Sequence, residues 1–565
     1  MADKKGTGYE GSAMDRNWLK QYPPGVPHDI DIHEFSSIKD ILEKSAERFA
    51  SLPAYTNMGT TLRYRDVDRL SRQFGAYLQT VLGLEKGDRV AVMMPNLLQY
   101  PIAVFGALRA GMTVVNVNPL YTPRELEHQL NDSGAKVIVV VENFAHTLSS
   151  VLKSVPVSTV ITTQIGDCLS FPKSVFINLA VKYVKKMVPA WQIADSVTFN
   201  DVLRVGARSS LVEVGVQAGD IAFLQYTGGT TGVAKGAVLT HGNMVANLQQ
   251  SSAWLSPLLT EGEEVVITAL PLYHIFSLTA NCLTFMKIGG ENVLITNPRD
   301  FAAFVKTLKS HPFTVITGVN TLFNALTNTS GFGDVDFSHL KLAIGGGMAV
   351  QRAVAERWEK ITGVSIIEAY GLTETSPGVS INPITNRQYN GSIGVPISST
   401  WVSLRDDEGQ TLEVGEIGEL CVKGPQVMRG YWNRPDETAE VMLDNGWLRT
   451  GDMARMDENG FIFIEDRKKD MLLVSGFNVY PNEVESVAVT HSGVLEAACI
   501  GLPDEVAGDI VKLFVVRQDP TLTAEQIIAH CQESLTAYKV PKVVEFRDEL
   551  PKTNVGKILR RALRE

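Results

Sequence analysis

At 565 residues, with 44% hydrophobic and 20% charged side chains, the chain exceeds one hydrophobic core and is too apolar to stay disordered. Its net charge of −10 excludes the broad basic surface that non-specific nucleic-acid binding needs. Five cysteines without CxxC spacing and ten histidines without HExxH offer no zinc site and read as reduced thiols in a cytosolic protein.

The polar start Met1-Ala-Asp-Lys-Lys-Gly6 leads to no apolar core of signal-peptide length, and no run approaches a membrane span, so the protein is expected in the cytoplasm. From Asp88 onward apolar runs alternate with helical periodicity: a buried strand at 89–94, a helix at 96–110 closed by Gly111, and a strand at 113–117. Thr122-Pro-Arg-Glu125 sets Thr at the N-cap, Pro at the first helical position and Glu at the third, a capping box; Gly134 ends that helix before a strand at 136–141. Residues 173–187 interleave apolar side chains with four lysines. They read as a surface helix packed on the large domain, with an amphipathic face for an anionic membrane as the alternative.

The loop Tyr226-Thr-Gly-Gly-Thr-Thr-Gly-Val-Ala-Lys-Gly236 holds four glycines and three threonines in eleven residues. Backbone N–H groups and hydroxyls can surround phosphate oxygens there without side-chain obstruction. It is not a Walker A loop, because Lys235 precedes Gly236 instead of Ser or Thr. A mobile surface turn has the same composition.

Strand-like runs at 265–270, 293–295, 315–319, 341–344 and 364–367 predict a second parallel, helix-flanked sheet. Gly345-Gly-Gly347 and Tyr370-Gly371 directly follow such runs, at the carboxyl ends of strands where ligands bind in α/β folds. Between Gly391 and Glu465 the texture becomes short strands, at 401–404, 419–423 and 461–464, with a turn at Asp457-Glu-Asn-Gly460. Asp466-Arg-Lys-Lys-Asp470 is a charged junction of the kind that is usually a solvated surface, and the last hundred residues form a small α+β unit. The division is a large N-terminal domain, 1–465, with a β subdomain at about 391–465, and a small C-terminal domain, 466–565.

Seven motifs occur in order: the loop at 226–236, Leu270-Pro-Leu-Tyr-His-Ile-Phe276, Gly345-Gly-Gly-Met348, Tyr370-Gly-Leu-Thr-Glu374, Trp447-Leu-Arg-Thr-Gly-Asp452, Asp466-Arg467 and Pro551-Lys-Thr-Asn-Val-Gly-Lys557. With them the chain resembles the adenylate-forming acyl-CoA synthetases from about Trp18 onward. The stretch from Asn445 through Lys469 resembles the long-chain fatty-acid-CoA ligases within that family.

The resemblance implies two half-reactions. A fatty carboxylate attacks the α-phosphate of ATP to give acyl-adenylate and pyrophosphate, and the thiol of coenzyme A then displaces AMP, a route that feeds fatty-acid degradation. It also implies roles. Thr227, Gly228, Gly229, Thr230, Thr231 and Gly232 hold the triphosphate with Lys235 nearby, and Mg2+ is held by Glu374, the Thr227 hydroxyl and phosphate oxygens. Tyr370 stacks on the adenine, Gly345, Gly346 and Gly347 let the base approach the backbone, Gly371 and Thr373 belong to the nucleotide site, Asp452 accepts the ribose hydroxyls and Arg467 adds a further ribose or phosphate contact. The residue-level alternatives are an ordinary packed aromatic for Tyr370 and a turn-forming Asp after Gly451 for Asp452.

Lys557 meets the charge that develops on the α-phosphate. The resemblance further implies that the mobile small domain then turns about Asp466, bringing Ser475, Gly476 and Phe477 to the coenzyme A tunnel. Arg560, Arg561 and Arg564 read as a solvated helix end, so only Lys557 receives a role in that tail. His274 gates the acyl pocket, orients the carboxylate, or is a hydrogen-bonded wall residue; acid–base work is not assigned to it. Residues 276–285 and 319–326 are candidate acyl lining or core helix faces. Partners are fatty acid, ATP and coenzyme A, and the reading allows peripheral contact with the inner face of the membrane and a homodimer. The competing readings are a medium-chain or other acyl-CoA ligase, transfer of the acyl group to a carrier protein, and a non-catalytic sensor, which Lys557, Glu374 and Asp452 disfavour together.

Overall fold

Val90, Ala91, Val92 and Met93 are all fully buried, as a strand must be when helices cover both faces of its sheet. In the computed structural model, which describes residues 16–227, 234–386, 388–475, 477–504, 507–553 and 556–564, this strand is the fourth of seven. The order is Val197–Thr198, Thr159–Thr163, Val137–Val141, Arg89–Met93, Thr113–Asn116, Ile221–Thr227 and Lys235–Thr240. The helix Pro123–Ser133 begins as its sequence dictates: Thr122 accepts from the Glu125 N–H, the Thr122 N–H donates to Glu125 Oε2 at 2.8 Å, and Gly134 closes the last turn at φ 61°.

A second sheet has nine strands, ordered Val395–Pro396, Gly378–Ile381, Ile366–Gly371, Leu342–Gly345, Val315–Gly318, Val265–Thr268, Glu291–Leu294, Pro53–Asn57 and Thr60–Arg63. Both sheets are mixed, which corrects the expectation of parallel ones. Ile221–Thr227 pairs antiparallel with Lys235–Thr240, and the second sheet is antiparallel at both edges. The reason is local: Met58 at φ 47° and Gly59 at φ 71° make a two-residue hairpin turn, too short for a crossover. The strand Ile366–Gly371 also runs further than expected and contains Tyr370 and Gly371 instead of ending before them.

The third sheet is the β subdomain: Trp401–Arg405, Gly418–Lys423, Trp447–Met456 and Met442–Leu443 in order, with Ile462–Arg467 paired to Trp447–Met456. The turn at Asp457 holds as read, with Gly460 at φ 86° and the Asp457 N–H bonded to the Phe461 carbonyl. The fourth sheet belongs to the small domain: Phe477–Val479, Leu472–Val474, Gly508–Arg517 and Val494–Asp504, with Val543–Arg547 parallel to Gly508–Arg517.

Three surface expectations change. Asp466 is fully buried and Asp470 is 9% exposed, so the charged junction is not a solvated run. The Arg560 side chain is 14% exposed and ion-paired to Asp466, Asp470 and Glu485, so it is not a solvated helix end either. The 173–187 segment forms a helix at Lys173–Leu179 and a π-helical turn at Ala180–Val184, but it does not bury its apolar residues. Phe171, Phe176, Tyr183 and Val184 are 84%, 67%, 65% and 79% exposed.

Candidate active site

The carboxyl ends of Leu342–Gly345 and Ile366–Gly371 lie side by side, paired at Gly345↔Glu368. The glycines beyond them are dictated by packing. A Cβ on Gly346 would meet the Phe276 ring and the Ala369 carbonyl at 3.1 Å, and one on Gly371 would lie 2.0 Å from the Pro377 carbonyl oxygen. Gly347 adopts φ 77°, and Thr373–Thr375 then forms a single helical turn presenting Glu374. That turn packs against Ile221–Thr227 and Lys235–Thr240, so Thr227 and Glu374 sit on neighbouring elements.

Asp452 sits inside the ten-residue strand Trp447–Met456, directly across from Arg467 on Ile462–Arg467. It is 3% exposed, which removes the reading of a turn-forming aspartate. One oxygen is 2.7 Å from Arg467 Nε; the other accepts the Tyr370 hydroxyl at 2.5 Å. Burial first, and then the Asp452 charge, hold the Tyr370 phenol well above its ordinary range, so it remains a donor. A carboxylate has about four lone-pair sites, so this clamp leaves room for further donors such as sugar hydroxyls.

A second carboxylate is clamped in the same way. Tyr431 donates its hydroxyl to Glu374 Oε1 at 2.7 Å, and Lys235 Nζ lies 5.2 Å from the centre of the Tyr431 ring. The segment carrying Tyr431 reaches in from the β subdomain: the Met428 N–H bonds to the Glu374 carbonyl at 2.8 Å, and the Trp432 N–H bonds to Gly236 at 2.7 Å. Sequence reading missed Tyr431. The signal available was Gly430-Tyr-Trp-Asn-Arg-Pro435, two adjacent aromatics bounded by helix breakers. Among the described residues no cluster of three His, Cys, Asp or Glu side chains can hold a metal alone. One carboxylate and one hydroxyl on adjacent elements suit Mg2+, which keeps waters and takes substrate phosphates as its other ligands.

Lys557 arrives from the small domain. Burial, followed by the nearby Arg467 charge, pushes its ammonium down to about 8 even though Asp452 pulls the other way. His274 lies close enough to register Lys557: burial, then that charge, push it down to about 4, so it is neutral at pH 7. Its Nδ1 accepts from the Phe276 N–H at 3.4 Å, which leaves Nε2–H as a donor.

The structure thus brings Lys235, Tyr370, Glu374, Asp452, Arg467, Lys557 and His274 into one cluster at the strand ends. Gly228, Gly229, Thr230, Thr231, Gly232 and Gly476 lie outside the described residues. Ser475 and Phe477 make their contacts within the small domain: Ser475 N–H bonds to Ala507 at 2.6 Å, and Phe477 stacks on Tyr538 with ring centres 4.7 Å apart. The stretches 276–285 and 319–326 are largely core, with Phe285 and Phe323 fully buried.

A cluster of cations and clamped carboxylates at strand ends, capped by a lysine from a second domain, suits a nucleotide-dependent transfer enzyme. The family model for AMP-binding enzymes matches residues 42–432, and that for their C-terminal domain matches residues 483–557. A Yersinia pestis protein named long-chain-fatty-acid–CoA ligase is 60% identical over 98% of both chains, and an Escherichia coli protein of the same name is 58% identical over 98% of both. An anthranilate CoA ligase solved with anthranoyl-AMP superimposes with a TM-score of 0.84 at 26% identity, over 95% of this chain and 98% of that one. The chain belongs to the AMP-binding enzyme family, on the branch that carries the long-chain-fatty-acid–CoA ligases.

Two outcomes follow from the geometry. The kcat/KM for ATP falls as pH rises through about 8, where Lys557 loses its proton, and Lys557→Arg, which stays charged, removes that fall. Tyr431→Phe, which keeps the ring under Lys235 but frees Glu374, lowers kcat/KM for ATP by about tenfold, in line with the ~1.5–3 kcal/mol of a hydrogen bond to a charge. Steady-state kinetics over pH 6–10 checks both.

Proposed function

We propose that this chain joins long-chain fatty acids to coenzyme A through an acyl-adenylate, releasing AMP and pyrophosphate and supplying acyl-CoA to fatty-acid degradation. The observation that carries this is Lys557, half-buried within the charges of Arg467 and Asp452 in a chain 60% identical to a long-chain-fatty-acid–CoA ligase. A fatty carboxylate is already a nucleophile, so the site needs to supply position and charge neutralisation.

Asp452 and Tyr370 receive the nucleoside, the 227–235 loop and Lys235 receive the phosphates, and Lys557 bridges the α-phosphate and the incoming carboxylate. Mg2+ would be held by Glu374 and Thr227, and when bound it neutralises phosphate charge. Neutral His274 orients the carboxylate by donation from Nε2. Lys557 fills the space beside the reacting phosphate, so coenzyme A needs a second pose. The chain divides functionally at Asp466, and 466–565 turns to bring Ser475, Gly476 and Phe477 to the thiol.

The five cysteines are free, four of them buried, which suits a reducing compartment and a cytoplasmic setting. The exposed apolar face at 171–187, ringed by Lys173, Lys182, Lys185 and Lys186, supports peripheral contact with an anionic membrane, where fatty acid is delivered. Among the described residues no helix is long and apolar enough to cross one.

With ATP, Mg2+ and coenzyme A, AMP and pyrophosphate form in step with acyl-CoA, and kcat/KM rises about fourfold per methylene until the pocket ends, reflecting ~0.8 kcal/mol per buried CH2. Release of ADP and orthophosphate, or restriction to short acids, overturns the reading. Lys182→Gln, Lys185→Gln and Lys186→Gln together weaken sedimentation with anionic vesicles by about 100-fold, at ~1 kcal/mol per lysine. Unchanged sedimentation overturns the membrane contact.

A further inference from the structure

Arg560 lies three residues beyond Lys557, and its guanidinium is spent inside the protein. Nη1 is 3.1 Å from Asp466 Oδ1 and 3.6 Å from Asp470 Oδ2. Nε and Nη2 take the two oxygens of Glu485 at 3.0 Å each, and Nη2 also reaches Asn482 Oδ1 at 2.5 Å. A fork of this kind fixes direction as well as charge, which a point-like ammonium cannot do.

The chain between Arg560 and Lys557 has little slack. Thr553 N–H bonds to the Lys557 carbonyl at 2.6 Å, Leu559 N–H bonds to Pro551 at 2.8 Å, and Lys552 bridges to Ile558. Lys557 is therefore held between the paired residues Thr553, Ile558 and Leu559 on a segment whose base is pinned by Arg560. The segment's other anchor is on the large domain, where Thr321 Oγ1 donates to the Gly556 carbonyl at 3.3 Å. A Cβ on Gly556, which is at φ 83°, would lie 2.6 Å from that hydroxyl.

Asp466 is held by the N–H groups of Asn482 at 2.8 Å and Arg467 at 2.7 Å, besides Arg560. Its partners all follow it in the chain. A swing that turns the ψ torsion of Asp466 leaves its carboxylate with the large domain while Arg560 departs with the small one.

We propose that Arg560 is a positioning residue whose bond to Asp466 latches the small domain in the pose that sets Lys557 over the nucleotide, and that this latch opens before thioester formation. The inference rests on the two-pose reading above and adds to it the group that holds the first pose.

The test separates the half-reactions in the full-length enzyme, using ATP–pyrophosphate exchange with palmitate for the first and conversion of supplied palmitoyl-adenylate with coenzyme A for the second. Arg560→Lys and Asp466→Asn each lower exchange by about 10–100-fold, as loss of a buried charged hydrogen bond should, and leave the second half-reaction within about threefold. The double variant loses no more than the worse single one, because both remove the same contact. Asp466→Asn keeps an acceptor for the Arg467 N–H, which bonds to Oδ1, but sets an amide against the Asn482 N–H, which bonds to Oδ2; Arg560→Gln, which leaves Asp466 intact, decides the matter if either of the other variants does not fold. Parallel loss of both half-reactions, additive losses, or unchanged exchange reduces Arg560 to a structural ion pair and overturns the latch. Lys557→Ala is measured alongside. If it abolishes both halves equally, the two-pose reading itself fails; if it spares the second half while Arg560→Lys and Asp466→Asn do not, only the latch fails.

Discussion

An ammonium taken out of water beside a guanidinium is stabilised only by anions, and every other feature of this site bears on which anion that is. Lys557 is half-buried near Arg467, with Asp452 drawing on it against the charges of Arg467, Arg560 and Lys469, and Asp452 is already shared with Arg467 and Tyr370. The balance of charge around the lysine is positive, an electrostatic demand for anions. A triphosphate and a carboxylate meet it, and the charge on the transferring phosphorus meets it without reorganisation. Once pyrophosphate leaves, the remaining adenylate carries far less negative charge. On the proposed reading the grip on Lys557 then weakens as the thiol enters.

The same demand explains the clamped carboxylates. A carboxylate left free at this site would lose its fixed direction. Phenols prevent this by holding the carboxylates without cancelling their charge. Tyr370 ties Asp452 of the β subdomain to the nine-stranded sheet, and Tyr431 ties Glu374 of that sheet to the β subdomain. Tyr226 ties Asp132 to the seven-stranded sheet at 2.6 Å, and Arg434 reaches the same aspartate from the β subdomain at 2.9 Å. Three sheets are therefore locked together at the rim of the site by hydrogen bonds that also set its charge.

What could be read from the sequence was what local chemistry decides. The capping box at Thr122, the turn at Asp457 and the alternating strands of the first sheet are short-range consequences of side-chain type, and they appear within a residue or two of expectation. The ordered motifs placed Tyr370, Glu374, Asp452, Arg467 and Lys557 in one family frame, and the structure gathers them. Contacts between distant segments were not legible. Asp452 follows a glycine at φ 71°, which mimics a turn, yet it lies in a ten-residue strand because Arg467 stands opposite. Arg560 looked solvated because its partners Asp466 and Glu485 are 94 and 75 positions away. The 173–187 segment has a helical pattern, but whether its apolar side is covered depends on neighbours that periodicity does not reveal.

The distribution of apolar packing bears on how a second pose can exist. The small domain has its own cores, one around Leu472, Val484, Leu513 and Ile527 and another around Ile500, Phe514, Leu550 and Leu563. The cores of the large domain draw on residues up to Ile462 and on none beyond 466. Among the described residues no hydrophobic cluster straddles the junction, and polar contacts cross it, among them Thr321 to Gly556, Arg467 to Asp452, and Lys468 to Asp407 and Glu419. Polar contacts can be exchanged for water at small net cost, whereas a shared apolar core would have to be torn open. A domain that carries its core with it and touches its neighbour through hydrogen bonds and charge can hold a lysine firmly in one pose and still release it. On the proposed reading the strength of that hold is set by few groups, and the bond from Arg560 to Asp466 is the one that reaches the pivot.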